Sequence, residues 1–250
     1  MIQKETVTVK SSKTVALNTT ELILQNEYLS QSANPGQFIH VYIDGFMLRR
    51  PISIADVNKK EQTITILFKQ SGKGTEKIAS YQPGNMIDVL GPCGNGFPLE
   101  STDDKILLIG GGIGVPPLYY FGKKMSETGK EIISILGFQS KKDLFYEQEF
   151  QQLGTTYIVT NDGTYGDKGF VTSLFNKLEN YDSYYACGPI PMLKAVKKEL
   201  PNKVGYLSIE ERMGCGIGAC FACVIPTTDQ TGYKKICKDG PVFSAQEVLL

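Results

Sequence analysis

Lys105-Ile-Leu-Leu-Ile-Gly-Gly-Gly-Ile-Gly-Val-Pro-Pro117 divides the chain into two kinds of structure. Ile106 to Ile109 is an unbroken apolar run, the pattern of a strand buried on both faces. A glycine-rich turn follows, and then a helix that carries Leu118, Phe121 and Met125 on one side. Pro116 and Pro117 fit its first turn, where a missing N–H costs nothing. Downstream, strands are expected over 131–138, 156–160 and 183–187, with helices over 170–180 and 192–200. Alternation of this kind builds a parallel sheet with crossover connections. Such sheets bind ligands beyond their C-terminal strand ends, here residues 110–114, 137–139, 161–163 and 187–189.

Strand, glycine turn and helix together read as a dinucleotide site, with Gly110, Gly112 and Gly114 as candidates. The spacing departs from G-x-G-x-x-G. Counted from Gly110 the third glycine position holds Val115, and counted from Gly112 it holds Pro117. Asp162 lies where a carboxylate would accept from a ribose hydroxyl and repel a 2′-phosphate, favouring NAD over NADP. It reads equally as a turn residue in Asn161-Asp-Gly163. Cys187 and Gly188 are candidates beside the nicotinamide, and Cys187 also reads as a small buried apolar residue.

Upstream the periodicity is different. Short alternating stretches at 6–10, 20–24, 38–43, 52–57, 63–68 and 86–90, separated by polar turns, predict a closed antiparallel barrel. Two places in it carry chemistry. In Leu48-Arg49-Arg50-Pro51-Ile52-Ser53, Arg50 offers paired N–H bonds to a diphosphate, a geometry lysine cannot copy. Ser53 would face the same ligand at a flavin ring edge. Alternatively, Arg50 is a solvated charge at a strand end. In Gln70-Ser-Gly-Lys-Gly-Thr75 two glycines free the backbone, and Thr75 stands where an N-cap is expected, at an anion-binding helix start.

Near the C-terminus, Glu211-Arg-Met-Gly-Cys-Gly-Ile-Gly-Ala-Cys-Phe-Ala-Cys223 sets Cys215, Cys220 and Cys223 in C-x4-C-x2-C order, with Cys237 further along. That is the plant-type 2Fe-2S pattern. Small residues between the cysteines let backbone N–H groups approach the sulfurs. A structural zinc site is the competing reading, although zinc ribbons use two short cysteine pairs.

Composition narrows the classes. The 250 residues carry 26 basic and 26 acidic side chains, so no polyanion-binding surface is expected and nucleic acid is not a partner. No apolar run reaches membrane-spanning length, and the N-terminal residues lack a signal-peptide core. Six cysteines, four of them grouped as ligands, fit a reducing cytoplasm. Cys93 and Cys187 are left as ordinary thiols. One histidine, His40, rules out a triad or a multi-histidine metal site within the chain.

Arg50-Pro-Ile-Ser53, the stretch 110–117 and Cys187-Gly-Pro189 together resemble the ferredoxin-NADP reductase superfamily. GGGIGVPPLYY, ACGPIPML, ERMGCGIGACFACV and CKDGPVF resemble, more narrowly, the electron-transfer subunits of NAD-dependent, two-subunit (class 1B) dihydroorotate dehydrogenases. The resemblance covers essentially the whole chain. It implies a multidomain β plus α/β protein: an FAD-binding antiparallel β-barrel at 1–100, an NAD-binding parallel α/β domain at 101–205, and a small 2Fe-2S domain at 206–250. By the same resemblance FAD is held by Arg50, Pro51, Ile52, Ser53, Leu67, Phe68, Lys69, Gly74 and Thr75, and the cluster by Cys215, Cys220, Cys223 and Cys237. The implied partner is an FMN-containing catalytic subunit that oxidises dihydroorotate, in a heterotetramer of two catalytic and two electron-transfer chains. Electrons would pass through the cluster and FAD to NAD+ in pyrimidine biosynthesis, with no catalytic acid or base from this chain. Two departures stand out. The superfamily usually has an aromatic residue at Ile52, and C-x13-C is a short interval before the fourth cysteine. Two alternatives are a flavin/iron–sulfur NAD(P)H reductase serving a ferredoxin or a sulfur-reducing enzyme, and a zinc-stabilised interaction module.

Overall fold

The computed structural model describes residues 1–178 and 180–250. Strands β1 (Gln3–Ala16), β2 (Thr19–Gln25), β3 (Phe38–Val41), β4 (Arg50–Asn58), β5 (Thr63–Lys69) and β6 (Met86–Cys93) close a barrel in the order β1-β2-β5-β4-β3-β6. Closure leaves no edge for another chain to pair with. Alternation decides which side chains fill it: Leu22 and Leu24 on β2 point inward with Ile64 and Ile66 on β5, all fully buried. Two short helices lie in its connections, α1 (Glu27–Ser32) and α2 (Lys73–Ala79), and bury Leu29 and Ile78 against its core. Asn26 caps the first by accepting from the Leu29 N–H at 2.8 Å.

The α/β part comprises β7 (Lys105–Gly111), α3 (Val115–Glu127), β8 (Glu131–Phe138), α4 (Glu147–Gln151), β9 (Gly154–Thr160), β10 (Asp167–Lys168), β11 (Ser183–Cys187), α5 (Ile190–Glu199) and β12 (Val204–Ser208). The C-terminal segment adds a small hairpin, β13 (Val224–Pro226) with β14 (Tyr233–Lys235), then α6 (Ile236–Asp239) and β15 (Val242–Ser244). The main sheet runs β10-β9-β8-β7-β11-β12-β15, parallel except for the last pair. Strand order reverses direction between β7 and β11, which opens a crevice at their C-terminal ends.

Three features differ from the sequence reading. The stretch expected as a helix over 170–180 is a 3-10 helix at Val171–Lys177, with Glu179 outside the described residues. Val171, Thr172 and Ser173 are poor α-formers, and the Ser173 N–H bonds Phe170 three residues back. Thr75 is not the N-cap of α2 but lies in its first turn; its hydroxyl accepts from the Ser71 N–H and donates to the Gly72 carbonyl. The boundary expected at 205/206 falls inside β12, and β15 returns from the cysteine-rich segment to pair with that strand.

The parts are tied by burial more than by charge. Tyr120 of α3 enters the barrel core and donates to the Ala33 carbonyl at 3.0 Å. Burying such a ring contributes roughly 1.5–3 kcal/mol. The neighbouring Lys123–Asp56 pair, at 2.8 Å and partly exposed, contributes at most about 1 kcal/mol. Asn95, just after β6, latches the cysteine-rich lobe to the barrel: its N–H donates to Gly240 at 2.6 Å, and its side chain to the carbonyls of Lys238 and Asp239. Among the described residues no helix is long and apolar enough to cross a membrane.

Candidate functional site

Between the barrel, the first turn of the α/β part and the lead-in to the cysteine loop lies a cleft of ≈450 Å³. Pro51, Ile52 and Ser53 from β4, Leu67, Phe68 and Lys69 from β5, and Thr75 from α2 line it. Arg50 and Gly74 are not on that wall but meet each other. A Cβ on Gly74 would stand 2.7 Å from Arg50 Nε, so the glycine lets the guanidinium lie flat on the start of α2. The Phe46 ring also packs on it, its centroid 5.3 Å from the guanidinium carbon. The guanidinium thus touches both a ring and a bare peptide and is half-buried rather than free in solvent.

The opposite wall of the cleft includes Ile113, Ile209 to Met213 and Pro241. The sequence reading quoted Ile113, Glu211 to Met213 and Pro241 within motifs without assigning them to the cleft, and did not name Ile209 or Glu210. One signal was available, because Ile209 and Glu210 follow β12 at its C-terminal end, where open sheets bind ligands. Ser53 Oγ donates to Glu210 Oε1 at 3.1 Å across the cleft, joining barrel to sheet. Desolvation raises the Glu210 carboxyl, the Ser53 hydrogen bond working against it, and the effect is small because the residue as a whole stays exposed. Cys187 is fully buried and near Glu210; desolvation first, and that charge second, keep it a thiol.

A second pocket of ≈540 Å³ opens at the reversal of strand order. All four predicted strand ends supply it, through Gly111 and Gly112, Gly137 to Gln139, Asn161, and Pro189. Phe170, Pro191 and Met192 complete an apolar side. Gly112 is therefore on the wall, whereas Gly110, Gly114, Asp162, Cys187 and Gly188 are not. Gly114 allows a close approach of two loops, since its Cβ would lie 2.4 Å from the Cys187 carbonyl. Asp162 Oδ1 accepts from both the N–H and the hydroxyl of Thr164, at 2.9 and 2.7 Å, which makes it the organiser of its own turn.

The four cysteines come together in the C-terminal lobe. The Gly218 N–H donates to Cys237 Sγ at 3.2 Å, Cys220 N–H to Cys215 Sγ at 3.4 Å, and Cys237 N–H to Cys223 Sγ at 3.5 Å. Gly216 and Gly218 take positive φ, +73° and +81°, as a chain wrapping so tightly requires. Burial alone would raise the Cys215 thiol, yet the N–H groups of Cys220 and Ile217 and their neighbours hold it down at about 6. Cys237, more deeply buried and beside Cys223, is pushed up to about 12. Lys235 Nζ donates to the Gly218 carbonyl at 2.7 Å and lies over the Phe221 ring, closing the turn from outside. Among the described residues no three such side chains close on a single metal ion. Four thiolates spread around two irons do not require that closure, and N–H groups aimed at sulfur suit an anionic cluster. The donor set fits a 2Fe-2S group, as the cleft fits a flavin.

The barrel, the sheet with its ligand-binding crevice and the cysteine lobe define a ferredoxin-NADP reductase-type flavin oxidoreductase with an added iron–sulfur domain. Residues 108–198 match the oxidoreductase NAD-binding domain, and residues 210–249 match the iron–sulfur cluster binding domain of dihydroorotate dehydrogenase B. The chain is 48% identical to the dihydroorotate dehydrogenase B (NAD(+)) electron transfer subunit of Geobacillus kaustophilus, covering 100% of both chains. It is 47% identical to that of Bacillus velezensis, again over 100% of each. Among solved structures, an NADH-dependent reduced ferredoxin-NADP oxidoreductase superposes with a TM-score of 0.90 at 28% identity, over 97% of this chain and 89% of that one. The flavohaem-like FAD/NAD-binding domain of a Vibrio cholerae nitric oxide dioxygenase shares the fold at a TM-score of 0.66 and 19% identity, over 78% and 92%. The chain belongs to the family of dihydroorotate dehydrogenase B electron transfer subunits.

Proposed function

We propose that this chain carries electrons from a dihydroorotate-oxidising, FMN-containing catalytic subunit to NAD+, within a cytoplasmic heterotetramer of two catalytic and two electron-transfer chains. One observation carries the reading: Glu210 to Met213 is both the far wall of the flavin cleft and the lead-in to the cysteine loop. The cluster ligands and the flavin site are thereby parts of one rigid neighbourhood. When bound, the flavin supplies the exchange between single electrons and a two-electron hydride. Arg50, with Gly74 and Thr75, holds the diphosphate end. Leu67, Phe68 and Lys69 flank the cofactor along β5, and Pro51, Ile52 and Ser53 border its ring. Ile52 occupies the place where an aromatic ring is usual, so it contacts the flavin as an aliphatic side chain. Ser53 and Glu210 fix the barrel against the sheet, and Gly112 would border the entry of a nicotinamide that a bound flavin would serve. Gly110, Gly114, Cys187 and Gly188 act behind that surface, by letting the two strand-end turns close together.

The test is an inventory of the native complex. Co-purification with a dihydroorotate-oxidising chain, together with FAD, FMN, iron and sulfide, is expected. A colourless chain holding one zinc would overturn the reading. The likeness to a ferredoxin-reducing enzyme makes a ferredoxin-serving reductase the second reading. Iron and FAD present with a different electron donor or acceptor would favour it.

Asp162 is proposed to repel a 2′-phosphate. It is exposed, so water screens the repulsion and the expected discrimination is modest. Asp162→Ser, which keeps an acceptor for Thr164, is expected to raise NADP use relative to NAD by about five- to tenfold in kcat/KM. An unchanged ratio would leave Asp162 as a turn residue only.

A further inference from the structure

His40 is the one histidine of the chain, and its ring is fully buried with neither nitrogen hydrogen-bonded among the described residues. Whatever its protonation state, an imidazole carries at least one N–H, and a buried donor without an acceptor is costly. The ring's setting shows where an acceptor would arrive. On β3, His40 pairs with Pro51 of the flavin-site strand, and it packs against Gly216 of the cysteine loop. A Cβ on Gly216 would fall 2.2 Å from His40 Nδ1, so only glycine lets the loop come so near. Gly216 directly follows Cys215. The backbones of Cys215 and Arg49 come close to the ring, but neither makes a well-aligned hydrogen bond to it.

We propose that His40 is a positioning residue of the iron–sulfur site, donating its N–H to a sulfur at the Cys215 corner of the bound cluster. The acceptor missing from the protein is supplied by the cluster, and the strand beside the flavin signature is thereby tied to the first cluster ligand. N–H bonds to cluster sulfurs stabilise the more negative, reduced form and raise the reduction potential.

The test uses the full chain loaded with FAD and cluster, and reads the cluster rather than turnover. Labelling the imidazole with nitrogen-15 identifies it without ambiguity, because the chain has no second histidine. Pulsed EPR of the reduced cluster is expected to show a coupled nitrogen-15, lost in His40→Phe. EPR-monitored titration should give a lower midpoint potential in His40→Phe, with His40→Gln, which retains an N–H, between it and the unmodified chain. An assembled cluster without imidazole coupling, or with the same potential in all three proteins, overturns the proposal. Should His40→Phe fail to assemble, the labelled unmodified chain still decides. The inference rests on the cluster assignment above: absence of iron defeats that assignment, whereas iron without coupling defeats only the role of His40.

Discussion

Cys220→Ser is expected to stop dihydroorotate-to-NAD+ turnover in the assembled complex while leaving NADH oxidation with an artificial dye nearly intact. Cys220 stands on the outer side of the loop, partly exposed, next to Phe221, which is 62% exposed. Serine offers iron a poorer ligand, but the backbone N–H that Cys220 gives to Cys215 survives the change. The loop can therefore keep its course while the cluster is lost or altered. Outer-shell changes at metal sites cost roughly 10–100-fold, so removing a ligand should exceed the upper end of that range. On the proposed flavin site, dye reduction would depend on the cleft formed by β4, β5 and the residues from Ile209 to Met213, and should stay within about twofold provided FAD content is unchanged, as expected for substitutions away from the reacting groups. Both assays on one preparation, with iron and flavin determined, separate the outcomes. Loss of both activities would make the cysteine lobe a structural support for the flavin cleft. Retention of both would remove Cys220 from the ligand set.

How much of this arrangement could be read beforehand depended on whether the signal was local. The continuous apolar run at Ile106 to Ile109, buried on both faces, marked β7 because a central parallel strand has no polar side. Six alternating stretches gave the barrel for the same kind of reason. The cysteine loop was legible because ligand spacing is itself the chemistry. Features that depend on tertiary contact were not. Glu210 became a cleft residue only because β12 and β15 bring the C-terminal segment back to the sheet, and β15 is three residues long. His40 looked like one more alternating barrel position until Gly216, distant in sequence, was found against its ring. Asp162 shows the converse: two readings of one residue were open, and the bonds to Thr164 account for its place in the turn without a ligand.

Arg50→Ala is expected to weaken FAD retention by roughly 30- to 1,000-fold, the equivalent of about 2–4 kcal/mol for losing paired charge-assisted hydrogen bonds to a diphosphate. A freely moving surface arginine would give far less. Here the side chain is already restrained: Nη1 donates to the Leu48 carbonyl at 2.5 Å, Phe46 flanks the guanidinium, and Gly74 leaves it room against α2. Little conformational entropy remains to be lost on binding. Arg50→Lys keeps the charge without the fork and should fall between the two. Gly74→Ala offers an independent check, because the added methyl would force the guanidinium from its seat without altering any charge. It should lower flavin affinity in the same direction. Flavin fluorescence released on dilution, or calorimetric titration of the flavin-stripped chain, measures each variant. Unchanged flavin content in both Arg50→Ala and Gly74→Ala would take the diphosphate away from this corner of the barrel, and leave Arg50 as a packed surface charge held by Phe46.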